Sequence, residues 1–256
     1  MKTLYAIIIT TAITWAWIGA YFWWGGEVNS PLFPFFGATL MWIPGICALV
    51  IARREGFKLP IIKKPGMIEL VAVLLCSFLV SMSIILSFPF ATFAPMALGW
   101  DSLSAILITT IFLGATINGI AALGEELFWR GYLHEKLKYL GIVRASLIIG
   151  TAWGIWHAPI ILMGYNYPTH EWLGVVMMTL ITISISPIQF FLREESGAIM
   201  APAIFHGVFN AMAGLAFLVY TKPDTLFVGA TGIVGFVFFS IASWVILKYY
   251  AKKIAT

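Results

Sequence analysis

Runs of about twenty consecutive apolar residues dominate this sequence. Such a run cannot be hidden repeatedly inside a water-soluble core, so lipid is the solvent the chain is built for. Eight candidate spans fall at about 3–24, 33–52, 67–88, 102–124, 143–163, 171–192, 197–219 and 226–248. The fourth is expected to continue as an amphipathic helix to about Tyr139. Composition agrees, with 61% hydrophobic and 10% charged residues. A soluble domain is nearer half apolar and a quarter charged. The expected fold is an all-α membrane protein, a bundle of about eight transmembrane helices forming one polytopic domain over 1–256. The first run follows Met1-Lys2 and ends in Tyr21-Phe22-Trp23-Trp24. It is too long for a signal-peptide core and is read as a retained span with an aromatic interface belt.

Charge placement gives an orientation. Arg53, Arg54, Lys58, Lys63 and Lys64 lie between spans 2 and 3, and Lys136, Lys138 and Arg144 between spans 4 and 5. Arg193 lies between spans 6 and 7, and Lys248, Lys252 and Lys253 end the chain. The opposite connections hold only Lys222. By the positive-inside rule both termini and the basic loops are cytoplasmic. No nucleic-acid module, phosphate loop or internal repeat is evident. Cys47 and Cys76 have no CxxC spacing and read as buried free thiols.

Ionisable groups inside spans are costly unless paired or set in a watery cavity. Here they cluster in three places. Span 4 ends in Gly124-Glu125-Glu126-Leu127-Phe128-Trp129-Arg130, span 5 holds Trp153-Gly154-Ile155-Trp156-His157, and span 7 holds His206-Gly207-Val208-Phe209-Asn210. Spans 4 and 5 meet in a tight turn near Gly141. Glu125 lies sixteen residues before that turn and His157 sixteen after it. At ~1.5 Å per residue both sit roughly 24 Å from it, so the carboxylate and the imidazole can face each other. His206 and Asn210 stand at i and i+4 and share a helix face.

Each feature also has a plainer reading. Glu126 and Arg130, at i and i+4, are the spacing of a helix-stabilising ion pair. Trp153 reads as packing, and Ser184, Ser186 and Gln189 around Pro187 as interhelical hydrogen bonding. His134, Glu135 and His170 sit in or near connections and are expected to be solvated. No Ser-His pair at matched depth and no Cys-His pair is found. Two Glu, two His and one Asn suggest a general base that activates water, with donors for an oxyanion, hence hydrolysis of a carbonyl compound. Two other classes stay open: a proton- or ion-coupled carrier, since Glu and His in spans also mark ion pathways, and a non-catalytic membrane scaffold. Against a carrier, no paired broken helices occur in corresponding halves.

These residues resemble the type II CAAX endopeptidase family, also called CPBP or ABI. Its motifs EExxxR, FxxxH and HxxxN/D stand here as Glu125-Glu126-xxx-Arg130, Trp153-xxx-His157 and His206-xxx-Asn210. Trp153 departs from the usual Phe. The resemblance covers roughly 120–215, a catalytic core, and implies about eight spans around a cavity open to the cytosol. It further implies that Glu125 with His157 activates water and that His206 with Asn210 holds the oxyanion. Glu126 and Arg130 would support them. The implied substrate is a membrane-associated protein or peptide cut near its C-terminus; whether it is prenylated stays open. Lipid is the surrounding partner, and no nucleic acid is expected. Family members are often labelled metalloproteases, and His157, His206 and Glu125 could in principle form a His₂Glu zinc site. The expectation here is no metal and no cofactor, because the two His come from separate spans and His206 is spaced with an amide.

Overall fold

The computed structural model describes residues 3–93 and 100–255. Among them, seven helical stretches are long and apolar enough to cross a membrane. One of these, Ser102–Trp156, has 55 residues. At ~1.5 Å per residue it would measure about 80 Å if straight, far beyond a hydrocarbon core of about 30 Å. It turns back at Gly141, whose φ of +79° suits a residue without Cβ. The stretch therefore makes two passes, and the bundle is an all-α membrane protein of about eight helices.

The elements run as α1 (Thr3–Trp23), α2 (Phe33–Arg54), α3 (Met67–Ile85), α4 (Trp100–Leu113), α5 (Gly119–Glu126), α6 (His134–Leu137) and α7 (Gly141–Trp156). They continue as α8 (Ala158–Leu162), α9 (Glu171–Ser196), α10 (Met200–Ala213), α11 (Ala216–Val219) and α12 (Ile233–Ala255). Two π-helical segments, Gly114–Asn118 and Leu127–Leu133, join α4 to α5 and α5 to α6. The fourth span thus runs on as helix nearly to the turn, but its 124–134 stretch is enclosed rather than amphipathic. A two-residue antiparallel ladder, β1 (Thr92–Phe93) with β2 (Tyr220–Thr221), pins one end of the bundle.

Every residue from Gly124 to His134 is buried. That segment is enclosed on all sides, and small residues let its neighbours approach. A Cβ on Gly124 would lie 2.6 Å from the Met41 carbonyl oxygen of α2. A Cβ on Gly207 would collide with the backbone of Gly114 and Gly119. Gly150 and Gly154, a GxxxG pair on α7, set that helix against α9, where a Cβ on Gly150 would lie 2.6 Å from the Ile183 Cα. Thr182 Oγ1 also donates across this contact to the Gly150 carbonyl at 2.8 Å. Gly124 and Gly207 thus stand next to Glu125 and His206, and Gly154 precedes His157 by three residues.

Three expectations need correction. The last span begins at Ile233 rather than near 226, because residues 222–232 fold into an irregular excursion. Asp224 Oδ1 caps the Leu226 N–H at 2.9 Å there, and Gly229 takes φ +78°. His134 is not solvated: it is fully buried, with Nε2 2.7 Å from Glu194 Oε1. Gln189 makes no interhelical bond to any described residue: both its amide atoms are buried without a partner among them. Ser186 does bridge helices. Both cysteines are free thiols, Cys76 buried and Cys47 half-buried.

At the end of the bundle that holds Gly141, surface ion pairs tie the helices together. Glu55 accepts from Lys136 at 2.6 Å, which holds its carboxyl down to about 2. Arg193 bonds Glu135 at 2.7 Å and reaches the Arg130 carbonyl through Nε at 3.1 Å.

Candidate active site

The site begins with a helix break. Pro159 has no N–H, and its ring crowds the carbonyl four residues back, so α7 cannot continue through it. Helix α7 stops at Trp156, and the His157 N–H bonds the Gly154 carbonyl at 3.1 Å instead of the one at Trp153. The Trp153 carbonyl is then met by the His157 side chain, with Nδ1 at 2.8 Å. A carbonyl only accepts, so Nδ1 carries the hydrogen. In the neutral ring Nε2 is left as a lone pair, the basic atom of His157.

Helix α5 and the π-helical turn after it present the two acids. Glu125, 2% exposed, has both its bonds on one oxygen. Trp153 Nε1 donates to Oε2 at 2.7 Å and Trp129 Nε1 at 3.4 Å. Among the described residues Oε1 has no hydrogen bond. Glu125 and His157 therefore meet through one residue, Trp153, which gives its indole N–H to the first and its carbonyl to the second.

Glu126 is held differently. Its Oε1 accepts from Arg130 at 3.1 Å and from His206 Nδ1 at 2.8 Å. Its Oε2 is buried with no partner among the described residues. The Arg130 guanidinium also donates to Ser186 Oγ at 3.2 Å and lies over the Trp153 ring at 4.4 Å. The ion pair that the spacing suggested is thus present, and His206 is drawn into it from α10. The His206 ring meets the Trp153 ring edge-on at 5.1 Å.

Asn210 lies one turn beyond His206. His206 is buried and Asn210 exposed, and the Asn210 amide has no hydrogen bond to any described residue. The geometry gathers Glu125, Glu126, Arg130, His157 and His206 around Trp153, with Asn210 standing apart. Sequence reasoning missed the roles of Trp153 and Trp129. The signal available was their placement at i+4 from Glu125 and i−4 from His157, on faces that also carry the polar residues.

A metal fits this arrangement poorly. No group of three or more His, Cys, Asp or Glu side chains among the described residues is placed to hold an ion. A groove of about 600 Å³ between α1 and α7, lined by Ile8, Trp15, Ile148 and Ile155 among others, holds none of the motif residues.

Residues 106–212, which include every residue of this cluster, match the family described as type II CAAX prenyl endopeptidase Rce1-like. CAAX prenyl protease 2 of Methanococcus maripaludis is 30% identical over 149 residues, which cover 55% of this chain and 53% of that protein. The chain thus aligns with about half the length of that relative. The matched stretch contains the second half of α4, both π-helical segments and α5 through nearly all of α10, so the three motifs and the helices that carry them fall within one similarity to that family.

Proposed function

We propose that the protein is an intramembrane endopeptidase of the CAAX type. It cuts a peptide bond near the C-terminus of a membrane-associated protein or peptide, with a prenylated C-a-a-X end as the substrate to test first. The observation that carries this reading is the contrast between the two acids. Glu125 Oε2 is fixed by indole N–H groups while Oε1 is uncommitted, which suits a base that takes a proton from water. Glu126 also has one bare oxygen, Oε2, but its charge is met by Arg130 and His206 rather than by neutral indoles, which suits a supporting role.

A water held between Glu125 Oε1 and His157 Nε2 attacks the scissile carbonyl carbon. Its proton passes to Glu125, and the carbonyl oxygen becomes an oxyanion. His206 donates to that oxyanion through Nε2–H, and Asn210 through its free amide. Glu125 then returns the proton to the leaving amine. The distribution of basic loops supports a cytoplasmic Gly141 end and cytoplasmic termini. Detergent-purified wild-type protein and Glu125→Ala, each given a farnesylated C-a-a-X peptide and its unprenylated counterpart, test the reading. Cleavage by the wild type alone is expected. Equal cleavage by both, or by neither, would refute it.

A further inference from the structure

Trp153 is the best-connected side chain of the cluster, and the proposed mechanism does not use it. It is 4% exposed. Its Nε1–H lies 2.7 Å from Glu125 Oε2, its carbonyl 2.8 Å from His157 Nδ1, its face 4.4 Å from the Arg130 guanidinium, and its ring centre 5.1 Å from that of His206. A packing role would account for the face contacts. It would not account for the N–H. A buried indole usually gives its one donor to a partner; the Trp156 N–H of the same helix finds none among the described residues, whereas that of Trp153 is placed on Glu125, the proposed base.

We propose that Trp153 is a positioning residue whose indole N–H fixes the carboxylate of Glu125 while its backbone carbonyl fixes the tautomer of His157. The inference rests on the function proposed above and deepens it. One N–H on Oε2 has two consequences. It sets the carboxylate plane, so that Oε1 is the oxygen left to meet water. It also supports the carboxylate charge where bulk water cannot. Because the same residue orients the imidazole, base and histidine are held to a common rigid reference on α7. Trp129, at 3.4 Å, is too long for an equal share.

The decisive substitution removes the N–H and nothing else. β-(3-Benzothienyl)alanine at position 153 replaces the ring N–H by sulfur and keeps the shape and the face offered to Arg130. Trp153→Phe is the simpler variant with a smaller ring. Removing the donor is expected to lower kcat about tenfold, the factor one hydrogen bond to a charged group typically carries. KM is expected to stay near wild type and the melting temperature to fall by only about 3–6 °C, the worth of one such hydrogen bond in a chain of this length. 7-Azatryptophan at 153, which keeps the donor, restores kcat, and Trp129→Phe costs less than Trp153→Phe. Wild-type kcat in the benzothienyl variant overturns the proposal, as does a loss of kcat that azatryptophan fails to restore.

A spectroscopic arm is independent of catalysis. In ¹⁵N-indole-labelled protein, the Trp153 cross-peak, assigned by its absence in Trp153→Phe, is expected to move upfield in Glu125→Leu and to stay put in Asn210→Leu. A peak that does not respond to Glu125→Leu sinks the positioning role even if the enzyme is active. A peak that responds in a protein that cleaves nothing keeps the hydrogen bond and places the failure in the proposed function.

Discussion

Glu125→Gln and Glu126→Gln, neighbours in sequence, are expected to fail in opposite ways. Glu126 Oε1 carries two charge-assisted bonds, to Arg130 at 3.1 Å and His206 at 2.8 Å. Arg130 is 2% exposed, so removing the carboxylate charge leaves a buried cation whose remaining contacts are Ser186 and the Trp153 face. Breaking a buried pair in this way costs about 3–5 kcal/mol. Glutamine keeps one amide oxygen as an acceptor, so the lower end applies, roughly 3 kcal/mol. In a chain of this length that corresponds to a fall of about 6–12 °C in Tm. Glu125 has only neutral indole donors, and glutamine keeps an oxygen for them. Glu125→Gln is therefore expected to lose less stability than Glu126→Gln. Its turnover should nonetheless fall by about 10²–10⁴, the usual contribution of a general base. The assay is cleavage of an internally quenched C-a-a-X peptide by detergent-purified protein, with thermal unfolding of the same samples. If Glu126→Gln is dead with an unchanged melting curve while Glu125→Gln turns over, the assignment of the base is wrong.

Gly154→Leu should abolish the approach of α7 to α9, because even a Cβ there would run into the Thr179 backbone; expression of folded, monodisperse protein measures this, and a wild-type yield would count against the packing account. A single cysteine near Gly141 should react with an impermeant thiol reagent only after cells are permeabilised; labelling in intact cells would reverse the proposed orientation. Elemental analysis of active protein is expected to find no stoichiometric zinc, and prolonged chelation to leave activity in place. Inactivation by chelator with recovery on zinc alone would replace the Glu125–His157 water mechanism by a metal-activated one.

The spans were legible because lipid leaves the chain no choice. A backbone in hydrocarbon must satisfy its own hydrogen bonds, and only a long apolar helix does so. The turn at Gly141 was legible because basic residues flank it. What the sequence hid depends on long-range contacts. His134 sits among Glu135 and Lys136 and looks solvated; its burial is set by Glu194, sixty residues away. Leu226, Phe227 and Val228 read as the start of a span, yet Asp224 and the glycines at 229 and 232 bend them into a loop. A tryptophan in an apolar run carries no mark of its N–H partner, so Trp153 passed as packing. The break at His157 was within reach, since Pro159 announces it; its effect on the Trp153 carbonyl was not.

Charge balance ties the cluster together. With Nδ1–H given to Glu126, an Nε2–H on His206 exists only in the imidazolium form. In that form the buried group holds two carboxylates, Arg130 and His206, and is formally neutral, as a low-dielectric site favours. It stays neutral through the proposed step, because the proton gained by Glu125 is matched by the oxyanion formed. Glu126 then acts on turnover through His206, and a double-mutant cycle isolates that coupling. Glu126→Gln and His206→Gln should each lower kcat, and the double variant should be no slower than His206→Gln alone. The coupling would be about 1–3 kcal/mol in activation free energy, as for groups in one hydrogen-bonded network. Losses that simply multiply would mean that Glu126 and His206 serve separate ends, and the neutral cluster would not explain how the oxyanion is held.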